Sequence, residues 1–125
     1  MSAKRILIID DEKAIRQVVQ ICLSSLGGYE VLEAISGEDG LRIAETEHPD
    51  AIVLDLTMPQ MDGLTVLQHL HENPTTRSIP IVVLSAKTYL VARQQFSQVG
   101  VVAAIAKPFN PLTLSHQIAI ACGWA

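Results

Sequence analysis

The chain has 125 residues, 49% of them hydrophobic, and a formal net charge of -4. That length suits one domain with a real core, and the apolar fraction excludes a disordered chain. No basic cluster offsets the acidic balance, which argues against direct nucleic-acid binding, and no apolar stretch approaches membrane-spanning length.

Met1-Ser2-Ala3-Lys4-Arg5 runs directly into the first apolar segment and leaves no room for a signal peptide, so a cytoplasmic protein is expected. Strands are predicted at about 5–9, 30–34, 51–55, 80–84 and 101–106, apolar runs bounded by turn residues, as buried parallel strands require. Between the first two strands, Ile15, Val18, Val19, Cys22, Leu23 and Leu26 recur at helical spacing until Gly27-Gly28 stops them. A second helix starts near Ser36-Gly37-Glu38 and ends before Pro49. A third, about 64–72, carries Leu64, Leu67 and Leu70 and stops at Asn73-Pro74. A fourth is predicted over about 88–98, ending at Gly100, and a fifth begins at Asn110-Pro111, where asparagine can cap and proline fits the first turn. Cys22 and Cys122 are isolated thiols without metal spacing and read as buried small apolar residues.

Strict alternation of strand and helix predicts an α/β fold: a doubly wound five-stranded parallel sheet covered on both faces, with right-handed crossovers. The order 2-1-3-4-5 sets strands 1 and 3 side by side at the switch point, and ligands bind outside the carboxyl ends of such strands. Asp10-Asp11 follow the first strand, Asp55 closes the third and Lys107 follows the fifth. Three carboxylates and an ammonium therefore reach one rim, which suits a divalent cation and a phosphoryl group. One acidic residue there would be ordinary helix N-terminal chemistry. Two beside a third repel one another unless a cation lies between them, and magnesium prefers a few carboxylates plus waters. After Asp55, Pro59 and Asp62-Gly63 predict a tight irregular loop able to turn the Thr57 carbonyl back toward the metal.

These motifs together resemble a receiver domain of the two-component response-regulator family, of the single-domain chemotaxis-receiver kind, over residues 1–125. The acidic pair, Asp55-Leu56-Thr57-Met58-Pro59-Gln60-Met61-Asp62-Gly63, Ser85-Ala86 and Lys107-Pro108-Phe109 carry the resemblance. Receivers are themselves examples of the 2-1-3-4-5 order, so topology and resemblance form one expectation rather than two. The resemblance implies that Asp55 is the phosphoryl acceptor. It implies that Asp10 and Asp11 hold Mg2+ (or Mn2+), Asp11 directly and Asp10 largely through water, with Asp55 and the Thr57 carbonyl completing the protein ligands. Ser85 would bond a phosphoryl oxygen, Lys107 would pair with it, and the Lys107-Pro108 bond would be cis. A carboxylate nucleophile forms an acyl phosphate, while metal and lysine offset charge on the transferring oxygens.

One departure stands out. Receivers usually carry an aromatic residue three positions before this lysine, and here that position is Ala104. Phosphate acceptance is untouched by the change, whereas the route from phosphate to output is altered. His48, His69, His71 and His116 fall away from the rim and are assigned no phosphotransfer role.

The expected function is a signalling switch, not an enzyme, with at most slow self-dephosphorylation. A sensor histidine kinase or phosphotransfer protein would donate to Asp55. Output would pass to a downstream protein partner or a homodimer through the fourth helix, fifth strand and fifth helix, the last of which is more apolar than one core stripe needs. Coupling would then run through Ser85 and residues 86–88. Two alternatives are a phosphate-independent interaction module on the same fold and an aspartate-nucleophile phosphatase. The phosphatase class wants a second acid two residues after the nucleophile, where this chain has Thr57.

Overall fold

Alternating side chains on buried strands determine how the layers assemble. In the computed structural model, which describes residues 3–59, 61–87 and 91–125, five strands form one sheet: β1 (Arg5–Ile9), β2 (Glu30–Ala34), β3 (Ala51–Leu54), β4 (Ile81–Ser85) and β5 (Val101–Ala106). All pairings are parallel and the order is β2-β1-β3-β4-β5, as the sequence pattern predicts. Four α-helices pack around it: α1 (Lys13–Ile21), α2 (Gly37–Glu47), α3 (Gly63–Glu72) and α4 (Leu114–Ala121).

Successive strand residues point to opposite faces, and two cores result. Leu7, Ile9, Ile52, Leu54, Ile81 and Val83 meet Ala44 of α2 and Val66, Leu67 and Leu70 of α3. Ile6, Ile8, Val53, Val82 and Leu84 meet Val19 of α1, Cys22 and Leu23, and Leu114 and Ile118 of α4. A parallel sheet clad on both faces accounts for the nearly unbroken apolar runs.

Local chemistry places the helix ends. The Ser36 hydroxyl accepts the Asp39 amide at 3.1 Å, and the Asp62 carboxylate accepts the Thr65 amide at 2.9 Å, each satisfying an amide with no partner inside its helix. α1 continues as a π-helical turn over Cys22–Leu26, where the Ser24 hydroxyl donates back to the Gln20 carbonyl at 2.7 Å, a bond that perturbs a helix ladder. Gly28, at φ 73°, then reverses the chain. Cys22 is buried and Cys122 half-buried, and both thiols are free.

The structure corrects three expectations. Over the predicted fourth helix, Thr88 to Leu90 lie outside the described residues, and from Val91 onward the chain forms a 3-10 turn (Arg93–Gln95) and further turns. Amides of Gln95, Gln98 and Val99 bond three residues back, to Ala92, Gln95 and Phe96. Val91, Phe96 and Val99 are spaced five and three apart. All three pack against the α2–α3 core from within these turns, where bonding three residues back gives tight turns in place of an α-helix. Four α-helices, not five, thus stand among the described residues. Second, Asn110 does not cap the last helix. Its carboxamide accepts the Leu112 amide at 2.9 Å and closes a turn, and α4 begins at Leu114. Third, β4 runs 81–85 rather than 80–84, because Pro80 has no amide to donate.

Gly63 and Gly40 permit close approaches that shape the site. A Cβ on Gly63 would lie 2.4 Å from the Leu56 Cα and 2.7 Å from the Asp55 carbonyl. One on Gly40 would meet the Ile9 side chain at 2.5 Å. The Gly63 neighbours are backbone and cannot swing aside. Gly63→Ala is therefore expected to destabilise the fold by about 1–3 kcal/mol, read as a lower urea midpoint at unchanged slope.

Candidate functional site

Pairing of β1 with β3 in the register Ile9↔Leu54 brings the next residues of both strands together. The Asp55 amide donates to the Ile9 carbonyl at 3.0 Å, and the Asp10 amide donates to the Ala34 carbonyl of β2 at 3.3 Å. Asp10 and Asp55 are buried, at 3% and 1% exposure, while Asp11 is exposed. Carboxylate oxygens of Asp10, Asp11 and Asp55 all lie within 4.8 Å of one another. An all-oxygen donor set this close suits a hard divalent cation.

Lys107 arrives from the far end of the chain. Its Nζ donates to Asp10 Oδ2 at 3.0 Å and lies 3.6 Å from Asp55 Oδ2, with its side chain 13% exposed. The preceding strand end is held by the Lys107 amide, which donates to the Ser85 carbonyl at 3.1 Å. The Lys107-Pro108 peptide bond is cis. Ser85 is fully buried, and its hydroxyl accepts the Lys87 amide at 3.2 Å.

The two oxygens of Asp55 differ. Oδ1 accepts both the amide and the hydroxyl of Thr57, each at 3.1 Å. Oδ2 is buried and has no hydrogen-bond partner. A buried carboxylate oxygen left in this state carries a desolvation penalty that a cation or an electrophile would relieve. After Asp55 the Gly63 amide donates to the Leu56 carbonyl at 3.0 Å and ties the two ends of the loop, in which Gln60 lies outside the described residues.

Burial holds the Asp10 carboxyl above the usual aspartate range and the Asp55 charge adds to this; the Glu12 amide and Lys107 oppose it. Asp10 Oδ1 accepts that Glu12 amide at 2.9 Å. All four histidines are exposed on the surface. Beside Asp11 a cleft of about 310 Å³ opens between Ser36, Glu38 and the Met58–Met61 loop.

Sequence reasoning placed Asp10, Asp11, Asp55, Ser85 and Lys107 at one rim, and the structure does bring these residues to the carboxyl ends of β1, β3, β4 and β5. Two contacts had no reading in the sequence. One is the Thr57 hydroxyl on Asp55, since the loop pattern points only to the Thr57 carbonyl. The other is Arg16, whose Nη1 donates to the Asp10 carbonyl at 2.8 Å while its Nε lies 3.4 Å from Glu33 Oε1. A basic residue beside Ile15, Val18 and Val19 on the apolar side of the first helix was the available signal.

Comparison with known proteins agrees with this geometry. A family model described as the response regulator receiver domain matches residues 6–119. The "Probable transcriptional regulator ycf27" of Porphyridium aerugineum is 39% identical over 118 residues, covering 94% of this chain and 48% of that protein. The "DNA-binding dual master transcriptional regulator RpaA" of Synechocystis is 40% identical over 106 residues, covering 85% and 44%. This chain spans about half the length of the curated relatives it matches. Among solved structures, the chemotaxis response regulator CheY4 of Vibrio cholerae superimposes with a TM-score of 0.85 at 31% identity, covering 96% of this chain and 99% of that one. The receiver domain of a Pseudomonas aeruginosa sensor histidine kinase, with a magnesium ion in its active-site cleft, gives a TM-score of 0.83 at 29% identity, covering 98% and 99%. With the family model matching nearly its whole length, and an acidic rim and lysine to go with it, the chain belongs to the response regulator receiver domain family.

Proposed function

We propose that this domain is a phosphorylation-dependent switch in which Asp55 accepts a phosphoryl group from a phosphohistidine of a sensor histidine kinase or phosphotransfer protein. The observation that carries the reading is Asp55 itself, buried at the junction of three carboxylates, with one oxygen lacking any hydrogen bond and Lys107 3.6 Å away. A carboxylate oxygen attacks phosphorus, the phosphorus–nitrogen bond breaks and the donor imidazole leaves, so the product is an aspartyl phosphate. Asp10, Asp11, Asp55 and the Thr57 carbonyl would hold Mg2+ (or Mn2+), which when bound offsets charge on the transferring oxygens. Lys107 supplies the protein's own cation there, and the Ser85 hydroxyl stands at the adjacent strand end to take a phosphoryl oxygen. The domain is read as a signalling module without turnover of a small substrate. No helix of the described residues is long and apolar enough to cross a membrane.

Output would leave through β5, α4 and the segment before β5, toward a downstream partner or a second copy. Val102, Leu112 and Ile120 are exposed there at 42%, 78% and 56%. Ala104 packs against the α2–α3 core rather than offering a ring to rotate. Coupling is therefore assigned to Ser85 and the residues after it, of which Thr88 lies outside the described residues. Moving such a switch from mostly off to mostly on takes roughly 5.5 kcal/mol of differential interaction, and charge-assisted bonds from Ser85 and Lys107 supply part of it.

Acetyl phosphate with Mg2+ is expected to raise the intact mass by one phosphoryl group, and Asp55→Asn to abolish the rise. Equal labelling of the variant would refute Asp55 as acceptor. Ala104→Tyr is expected to change phosphorylation-dependent partner binding more than the labelling rate; the opposite pattern would place the switch elsewhere.

Burial of the Asp10 carboxyl, with the Asp55 charge adding to it, has its own signature in stability. The folded Asp10 carboxyl titrates above its ordinary value of 3.8, so the folded state binds this proton more readily than the unfolded state. Stability is then lost as pH rises from the unfolded value through the folded one. Without divalent ions, Asp10→Asn is expected to raise the melting temperature at pH 7, the gain vanishing as pH falls and wild-type Asp10 protonates. Adding Mg2+ should stabilise wild type and shrink or invert the difference. A variant less stable than wild type at pH 7 without ions would show that the Lys107 pair outweighs the cost of burying the Asp10 charge.

A further inference from the structure

Arg16 stands on α1, 11% exposed, with its guanidinium engaged on two sides. Nη1 donates to the Asp10 carbonyl at 2.8 Å, and Nε faces Glu33 Oε1 at 3.4 Å. That carbonyl belongs to the peptide unit joining Asp10 to Asp11, whose six atoms move as one plane. Asp10 has other restraints: its amide on Ala34, the Glu12 amide on Oδ1 and Lys107 on Oδ2. Asp11 is exposed, and its Cα is one of the six atoms of that plane, so the plane fixes where its side chain starts.

We infer that Arg16 is a positioning residue for the divalent-ion site: by gripping the Asp10–Asp11 peptide it holds the Asp11 carboxylate toward Asp10 and Asp55. Glu33, one strand away on β2, orients the guanidinium and neutralises it. This assignment rests on the ion-binding reading given above.

Coulomb repulsion and positioning predict opposite signs, which makes the inference testable. A positive charge near a cation site weakens cation binding, so by charge alone removing Arg16 would tighten Mg2+ binding. If Arg16 holds the ligand in place, removing it loosens binding, as loss of an outer-shell partner does in metal sites. Arg16→Met keeps most of the apolar stem and removes every donor. Arg16→Lys keeps the charge but loses the planar fork that serves two partners at once.

Mg2+ titration by calorimetry should compare wild type, Arg16→Met, Arg16→Lys and Asp11→Asn, each first shown to melt cooperatively. The expected result is Mg2+ binding about tenfold weaker in Arg16→Met, at least as weak in Asp11→Asn, and intermediate in Arg16→Lys. Binding in folded Arg16→Met equal to or tighter than wild type overturns the inference. Should Arg16→Met fail to fold, Arg16→Lys decides: weaker binding than wild type supports the inference and equal binding overturns it. A wild type that binds no Mg2+ would instead remove the ion site itself, a result distinct from binding that persists without Arg16.

Discussion

Asp10, Asp11 and Asp55 present oxygens within 4.8 Å of one another, and Lys107 answers them with a single ammonium 3.0 Å from Asp10. Two of the three acids are almost wholly buried, so water screens little of their repulsion. Such an arrangement persists only because the backbone beneath it cannot relax. β1 and β3 are locked side by side in the middle of the sheet, with residues of both strands sealed in two apolar cores. The sheet therefore keeps in place a cluster of charges that would separate if the chain were free to do so. In the proposed reading, this unfavourable cluster is also what makes the rim receptive to a cation and to an electrophilic phosphoryl group.

Lys107 shows how the fold shares this task between distant segments. It is 97 residues from Asp10, its hydrogen-bond partner, and reaches it because β5 pairs with β4 and β4 with β3. Ser85 ends β4 one strand away, its hydroxyl already accepting the Lys87 amide. In the proposed reading a phosphoryl oxygen competes for that hydroxyl, so the first movement on phosphorylation belongs to the β4 end and the chain after it. Ligand contacts shift such an equilibrium only through a difference between its two states. That same region is where the predicted fourth helix gives way to turns. In that reading, acids just after β1 and β3 hold the phosphoryl group while Ser85 and Lys107, on β4 and after β5, report it.

The elements legible from sequence were those whose signal is local or periodic. Buried parallel strands appear as unbroken apolar runs, and all five were found to within a residue. The helix start near Ser36, the glycine stop at Gly27-Gly28 and the acid and lysine positions were likewise readable, since each is a residue type at a fixed offset from a strand or helix end. Turn chemistry was harder. Asn110-Pro111 fits a helix start and a preceding turn equally well, and only the bond from the Leu112 amide separates the two. The segment after Ala86 read as a helix by position in the alternation, but from Val91 onward its amides bond three residues back rather than four.

What sequence alone determined, then, was which residues stand at the carboxyl ends of the strands and what chemistry that set can perform. Tertiary structure decided which atoms of those residues face one another. That Asp55 Oδ2 is bare, and that Lys107 bonds Asp10 more closely than Asp55, depend on packing between strands distant in the chain. The contact of Arg16 with the Asp10 carbonyl is of the same kind. No periodicity encodes a side chain reaching back over a loop to a backbone oxygen, because that contact exists only once α1, β1 and β2 have packed.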